Sequence, residues 1–109
     1  MKRVYILSFD EVMLNQLKDL GKDVNIRSFI SKMLDKIEEH GPRAGKLLDS
    51  QLHLYELKIK HPPIRIYFKP VKDSNEIYVF EYQMKTSEEK QQNIIRKIRF
   101  KILNLFKKN

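Results

Sequence analysis

Apolar residues recur at helical spacing along the first part of the chain and at every second position along the middle, a change of period that separates two kinds of element. Lys2 to Phe9 reads as a short strand. Ser8, with Glu11 three residues on, gives a capping-box signal for a first helix. Its apolar stripe is Val12, Met13, Leu14, Leu17 and Leu20, and Gly21 suits its C-terminal cap. Asp23 or Asn25 can cap a second helix, in which Ile26, Phe29, Ile30, Met33, Leu34 and Ile37 recur until Gly41 and Pro42 stop it. The two helices are expected to form a hairpin.

From Leu52 the period becomes two, and Leu52–Lys60, Ile64–Lys69 and Ile77–Lys85 read as successive strands. Pro62-Pro63 and Asp73-Ser74-Asn75 supply the turns, which gives a three-strand antiparallel meander. Thr86 with Glu89 is a second capping box, opening a C-terminal helix that carries Ile94, Ile95, Ile98, Ile102, Leu103, Leu105 and Phe106. The order is β-α-α-β-β-β-α, an α+β arrangement in one domain over residues 1–109. Helices are expected over one face of a mostly antiparallel sheet, with the other face open.

Composition narrows the partners. The chain has 22 Lys and Arg against 14 Asp and Glu, a net charge of +8 that favours a polyanion, with nucleic acid ahead of acidic protein or anionic lipid. It has no cysteine, and the apolar run after Met1-Lys2-Arg3 is too short for a signal peptide or a membrane span, so a soluble cytoplasmic protein is expected. His40, His53 and His61 match no metal-ligand spacing, so no metal or other cofactor is expected. Gly41 to Lys46 lacks the spacing of a nucleotide P-loop and reads as a connector.

Alternation along the meander puts Glu56, Lys58 and Lys60 on one side of the sheet with Arg65, Tyr67 and Lys69 and with Glu81, Gln83 and Lys85. Tyr55, Leu57, Ile59, Ile64, Ile66, Phe68, Tyr78, Phe80 and Tyr82 then face the helices. The polar side is either a solvated sheet face with cross-strand ion pairs or a phosphate site. Cleaving RNA without metal needs a base for the 2′-hydroxyl, cations for the phosphorane charge and an acid for the 5′-oxygen. Glu56 is the candidate base or, alternatively, an ion-pair partner of Arg65; Lys58, Arg65 and Lys85 suit charge stabilisation. Lys60 and Lys69 add RNA-binding charge, and His61 is a reserve acid or base or a merely exposed turn residue. The last helix is basic and amphipathic, with Phe100 off its apolar face as a candidate partner contact.

Gly45-Lys46-Leu47-Leu48, then Leu54-Tyr55-Glu56-Leu57-Lys58-Ile59-Lys60, then Ile64-Arg65-Ile66-Tyr67-Phe68 resembles the core of RelE/HigB-like toxins of toxin–antitoxin modules. The resemblance covers nearly the whole chain and implies a RelE-like fold. It also implies a ribosome-dependent mRNA endoribonuclease held in check by a cognate antitoxin, with the toxin–antitoxin complex binding operator DNA through the antitoxin. By position, Lys58 and Lys60 fall on that family's basic strand, Arg65 on its arginine and Lys85 on the basic residue closing the last strand. Relatives then carry a Tyr or His, where this chain has Glu88-Glu89-Lys90-Gln91-Gln92. The rival reading is a noncatalytic relative, either gyrase-directed like ParE-type toxins or reduced to antitoxin or RNA binding.

Overall fold

Asp10, not Ser8, starts the first helix. In the computed structural model, which describes residues 4–84 and 87–105, the strand β1 (Ile6–Phe9) runs through Ser8 and is followed at once by α1 (Glu11–Asp19). Asp10 Oδ2 accepts from the Val12 N–H at 3.0 Å, while Ser8 Oγ donates across the sheet to Glu76 Oε2 at 2.6 Å. A residue paired in a strand has its hydroxyl aimed at a neighbouring strand, so Ser8 is lost to the cap. Gly21 lies inside a 3₁₀ turn, Leu20–Lys22, that follows α1. Asp23 then caps α2 (Val24–His40), its Oδ1 accepting from the Ile26 N–H at 3.1 Å. The helix ends at Gly41, whose φ of 59° and contact with the Tyr5 ring leave no place for a side chain.

The connector after α2 does more than link. A 3₁₀ turn, Gly41–Ala44, leads into a strand that the sequence pattern does not reveal, β2 (Lys46–Asp49), which pairs antiparallel with β3 (Leu54–Lys60). Gly45 lies so close to the Glu56 carbonyl that a Cβ would collide with it. The meander continues through β4 (Pro63–Pro70) and β5 (Glu76–Met84), and α3 (Glu88–Leu105) follows. Ser87 Oγ accepts from the Lys90 N–H at 3.2 Å at the start of α3; Thr86, the expected cap, lies outside the described residues. The sheet order is β1-β5-β4-β3-β2, with β1 parallel to β5 and the other pairs antiparallel. Among the described residues no helix is long and apolar enough to cross a membrane.

Helices cover both faces, not one. Met13, Leu20, Ile30, Met33 and Ile37 of the hairpin segment pack on Leu57, Ile64, Ile66, Phe68, Ile77 and Val79. On the other side Ile98 and Ile102 of α3 pack on Leu54, Tyr67 and Phe80. Burying these two isoleucines contributes about 2 kcal/mol each. A bulge explains why Phe80 belongs to this second layer: Phe68 pairs with Val79 and Tyr67 with Glu81, so Phe80 has no partner in the ladder. Alternation carried through β5 put Tyr78 and Phe80 on the hairpin side with Tyr82, whereas the structure puts Tyr78 and Phe80 under α3 and only Tyr82 on the hairpin side. The apolar face of α3 is also narrower than its composition implied, since Leu103 and Leu105 are exposed; Phe106 lies outside the described residues. Phe100 points to solvent, as expected from its place on the helix.

One carboxylate joins the layers. Asp10 is 5% exposed, and besides capping α1 it accepts from Tyr78 Oη of β5 at 2.7 Å and from Lys101 Nζ of α3 at 2.7 Å. Burial works to raise its pKa, but the bonds from Lys101, Tyr78 and the Val12 N–H outweigh that and hold it below the ordinary carboxylate value. Glu81, beside it on the same face, is raised by burial, which the lysines Lys97 and Lys101 only partly offset.

Asp10→Ala should cost about 2–3 kcal/mol in denaturant unfolding, because it removes a cap and strands a partly buried ammonium. The sign of the pH effect follows from the lowered pKa. The carboxylate's contribution is complete above the ordinary Asp value and disappears as pH falls through the folded-state value, so an acid titration of stability should be shallower in Asp10→Asn than in wild type. Glu81→Gln should do the reverse at neutral pH, raising the melting temperature by a few degrees. That gain should vanish once pH is low enough to protonate Glu81 in both folded and unfolded chains.

Candidate functional site

The register of the meander decides which polar residues meet. Lys58 on β3 stands opposite Arg65 on β4, and Arg65 stands opposite Gln83 on β5, so these three form one row across the sheet on the side that α3 covers. The next row inward is Glu56, Tyr67 and Glu81. Because α3 lies over this side, the expected open polar face is graded. Glu56, Tyr67, Glu81 and Gln83 are buried, Arg65 is 30% exposed, and Lys58 and Lys60 are in solvent.

Burial redirects Glu56. Its Oε1 accepts from Arg65 Nη1 at 3.2 Å and from Gln91 Nε2 of α3 at 3.5 Å, and the residue is 5% exposed. A carboxylate so placed orients the guanidinium and has no open path to a substrate hydroxyl, which favours the ion-pair role over that of general base. Tyr67 Oη donates to Gln83 Oε1 at 2.7 Å. Burial, with the Glu56 charge nearby, pushes the Tyr67 phenol up to about 12, so it remains a neutral donor. Arg65 is thus backed by a rigid, hydrogen-bonded layer on its inner side.

On the outer side a cleft of about 390 Å³ opens at the β3–β4 end of the sheet, lined by Lys58, Lys60, His61 and Arg65 over Ile59, Pro63 and Ile64. Four residues expected to act together are therefore in one place. Lys69 is not among them. It lies toward the other end of β4, opposite Tyr78, and its Nζ donates to the Leu52 carbonyl at 2.6 Å, with burial drawing its pKa down. That amine secures the turn before β3. Lys85 lies outside the described residues. Gln91 was invisible to sequence reasoning, since only the docking of α3 brings it to Glu56; Gln83 and Tyr67 were signalled by alternation but not as a bonded pair.

No protein-family model matches the chain, and no curated protein does. Several solved structures are similar to it. The isolated RelE toxin of E. coli is 23% identical, with a TM-score of 0.61 over 84% of this chain and 97% of that one. The toxin–antitoxin complex RelBE2 of Mycobacterium tuberculosis is 12% identical, with a TM-score of 0.62 over 80% and 98%. The YoeB–YefM complex of Staphylococcus aureus is 20% identical, with a TM-score of 0.55 over 75% and 98%. The architecture of these structures is the one the sequence resemblance implied, and the chain has the RelE-like toxin fold.

Proposed function

We propose that this chain is the toxin of a toxin–antitoxin module and that it cleaves mRNA on the ribosome, without a metal, to block translation. The observation that carries the reading is the Lys58–Arg65 pair at the mouth of the cleft, backed by the buried Glu56. The fold adds to it: similar structures are toxins, and in E. coli, M. tuberculosis and S. aureus they are found in complexes with antitoxins.

In the proposed reaction the 2′-hydroxyl gives its proton to the His61 imidazole, the 2′-oxygen bonds to the adjacent phosphorus to form a 2′,3′-cyclic phosphate, and the bond to the 5′-oxygen breaks as that oxygen takes the proton. Arg65 and Lys58 take the charge that grows on the phosphorane oxygens, where preorganised cations are most effective. Glu56 serves as the anchor that fixes Arg65. Lys60 holds the strand through its phosphates, and His61 brings to the cleft an imidazole able to move a proton. A cognate antitoxin would act by covering this basic surface in the cytoplasm.

A second reading rests on the engagement of Glu56 by Arg65 and Gln91, which takes the candidate base out of play. On that reading the protein is a noncatalytic relative that binds gyrase, or only antitoxin and RNA.

Induction in a bacterial host, with growth scored and mRNA 5′ ends mapped, separates the two. Wild type should arrest growth and leave cuts that depend on translation, and Arg65→Ala should reduce cutting on the order of 10²-fold or more while still binding antitoxin. Arrest without cuts supports the noncatalytic reading, and undiminished cutting by Arg65→Ala removes Arg65 from the mechanism.

A further inference from the structure

Beyond the cleft, the row that begins at Lys58 and Arg65 runs into a second cavity. Gln83 is the cross-strand neighbour of Arg65, and on its far side a space of about 340 Å³ is lined by Gln83, Lys90, Asn93, Ile94 and Lys97. The four α3 residues fall at intervals of three, one and three positions, which puts them on one stripe of the helix beside β5.

The chemistry of the lining is one-sided. Gln83 is 7% exposed, and its carbonyl oxygen is taken by Tyr67 Oη, so the buried Nε2 is the end left to bond and has no partner among the described residues. Asn93 Oδ1 accepts from Arg96 Nη1 at 2.8 Å, which likewise leaves the amide nitrogen as its donor. Lys90 and Lys97 have only donors to give. Two lysines and two amide side chains thus line one cavity, each amide oxygen already accepting a hydrogen bond from elsewhere. A buried amide donor without a partner costs free energy, and an oxyanion is the ligand that satisfies all four groups together.

We propose that Gln83, Lys90, Asn93 and Lys97 form a second phosphate subsite, which holds an RNA backbone phosphate neighbouring the one at Arg65. The inference rests on the RNA reading of the cleft. Gln83 is one strand spacing from Arg65, about 4.8 Å in the direction of the ladder, a step of the same order as that between successive phosphates of a strand. The subsite keeps the substrate in register on the side where the chain has Glu88 to Gln92 and no Tyr or His. The competing role for Lys97 is neutralisation of the buried Glu81, whose charge it faces; Lys101, also close to Glu81, is held by Asp10.

The test measures binding of a fluorescent single-stranded RNA hexamer, 2′-O-methylated throughout so that it cannot be cut, across a range of salt concentrations. The Lys90→Ala/Lys97→Ala double variant should bind several-fold more weakly, and the slope of log K against log salt should flatten by about 0.7, the value for one phosphate contact. Gln83→Leu should weaken binding without changing the slope, because it removes a neutral donor. Unchanged affinity and slope in the double variant overturn the subsite, and a lower melting temperature in that same variant assigns Lys97 to Glu81. Wild-type binding that falls on Arg65→Ala keeps the RNA reading intact whichever way the lysine variant behaves. Failure of the wild-type chain to bind the hexamer overturns the subsite, while the RNA reading of the cleft stands or falls on the translation-dependent cuts of the induction experiment.

Discussion

Three segments far apart in the chain end on the Asp10 carboxylate: the start of α1, the middle of β5 and the last turns of α3. Each needs it for a different reason. The helix has unpaired N–H groups, the Tyr78 phenol is half-buried, and so is the Lys101 ammonium. A single group that meets all three fixes where α3 crosses the sheet. Gln91 reaches Glu56, and the lysine stripe reaches Gln83, because α3 crosses there.

The same helix turns a sheet face into a graded environment. Under α3 the inner row, Glu56 with Tyr67 and Glu81, is shielded from water; the Tyr67 hydrogen bond to Gln83 is short, and burial raises the pKa of both Tyr67 and Glu81. One row outward, Lys58 and Arg65 stand where solvent and a polyanion can reach them. Arg65 belongs to both zones. Its guanidinium is held from within by a buried carboxylate and presented outward as a cation whose orientation needs no further ordering on binding.

Much of this was legible in the sequence because the strands alternate cleanly. Leu57, Ile59, Ile64, Ile66 and Phe68 lie on the hairpin side and Lys58, Lys60 and Arg65 on the other, as the period of two requires. What was not legible depends on contacts between distant segments. The bulge that sends Phe80 to α3 is a mismatch between two strands and leaves no mark in β5 alone. β2 is four residues long and exists because Gly45 lets the backbone approach Glu56. The cap moved from Ser8 to Asp10 because β1 keeps its pairing through Phe9, a fact that belongs to β5. For the site, local pattern supplied the residue types; the covering helix adds the Gln91 bond to the buried Glu56, and the Leu52 carbonyl in the turn before β3 holds Lys69 away from the cluster.

The parallel pairing of β1 with β5 also has a bearing on how the molecule comes into being. Ile6 finds Glu76 across about 70 positions of chain, so the strand synthesised first stays without its neighbour until most of the polypeptide has emerged. The meander can form from nearby segments, but Asp10 cannot gather its partners until α3 has been made. A nascent chain can therefore pair Arg65 with Glu56 within the meander, while the cover that buries this pair, and the Gln91 bond to Glu56, come only once α3 has been made.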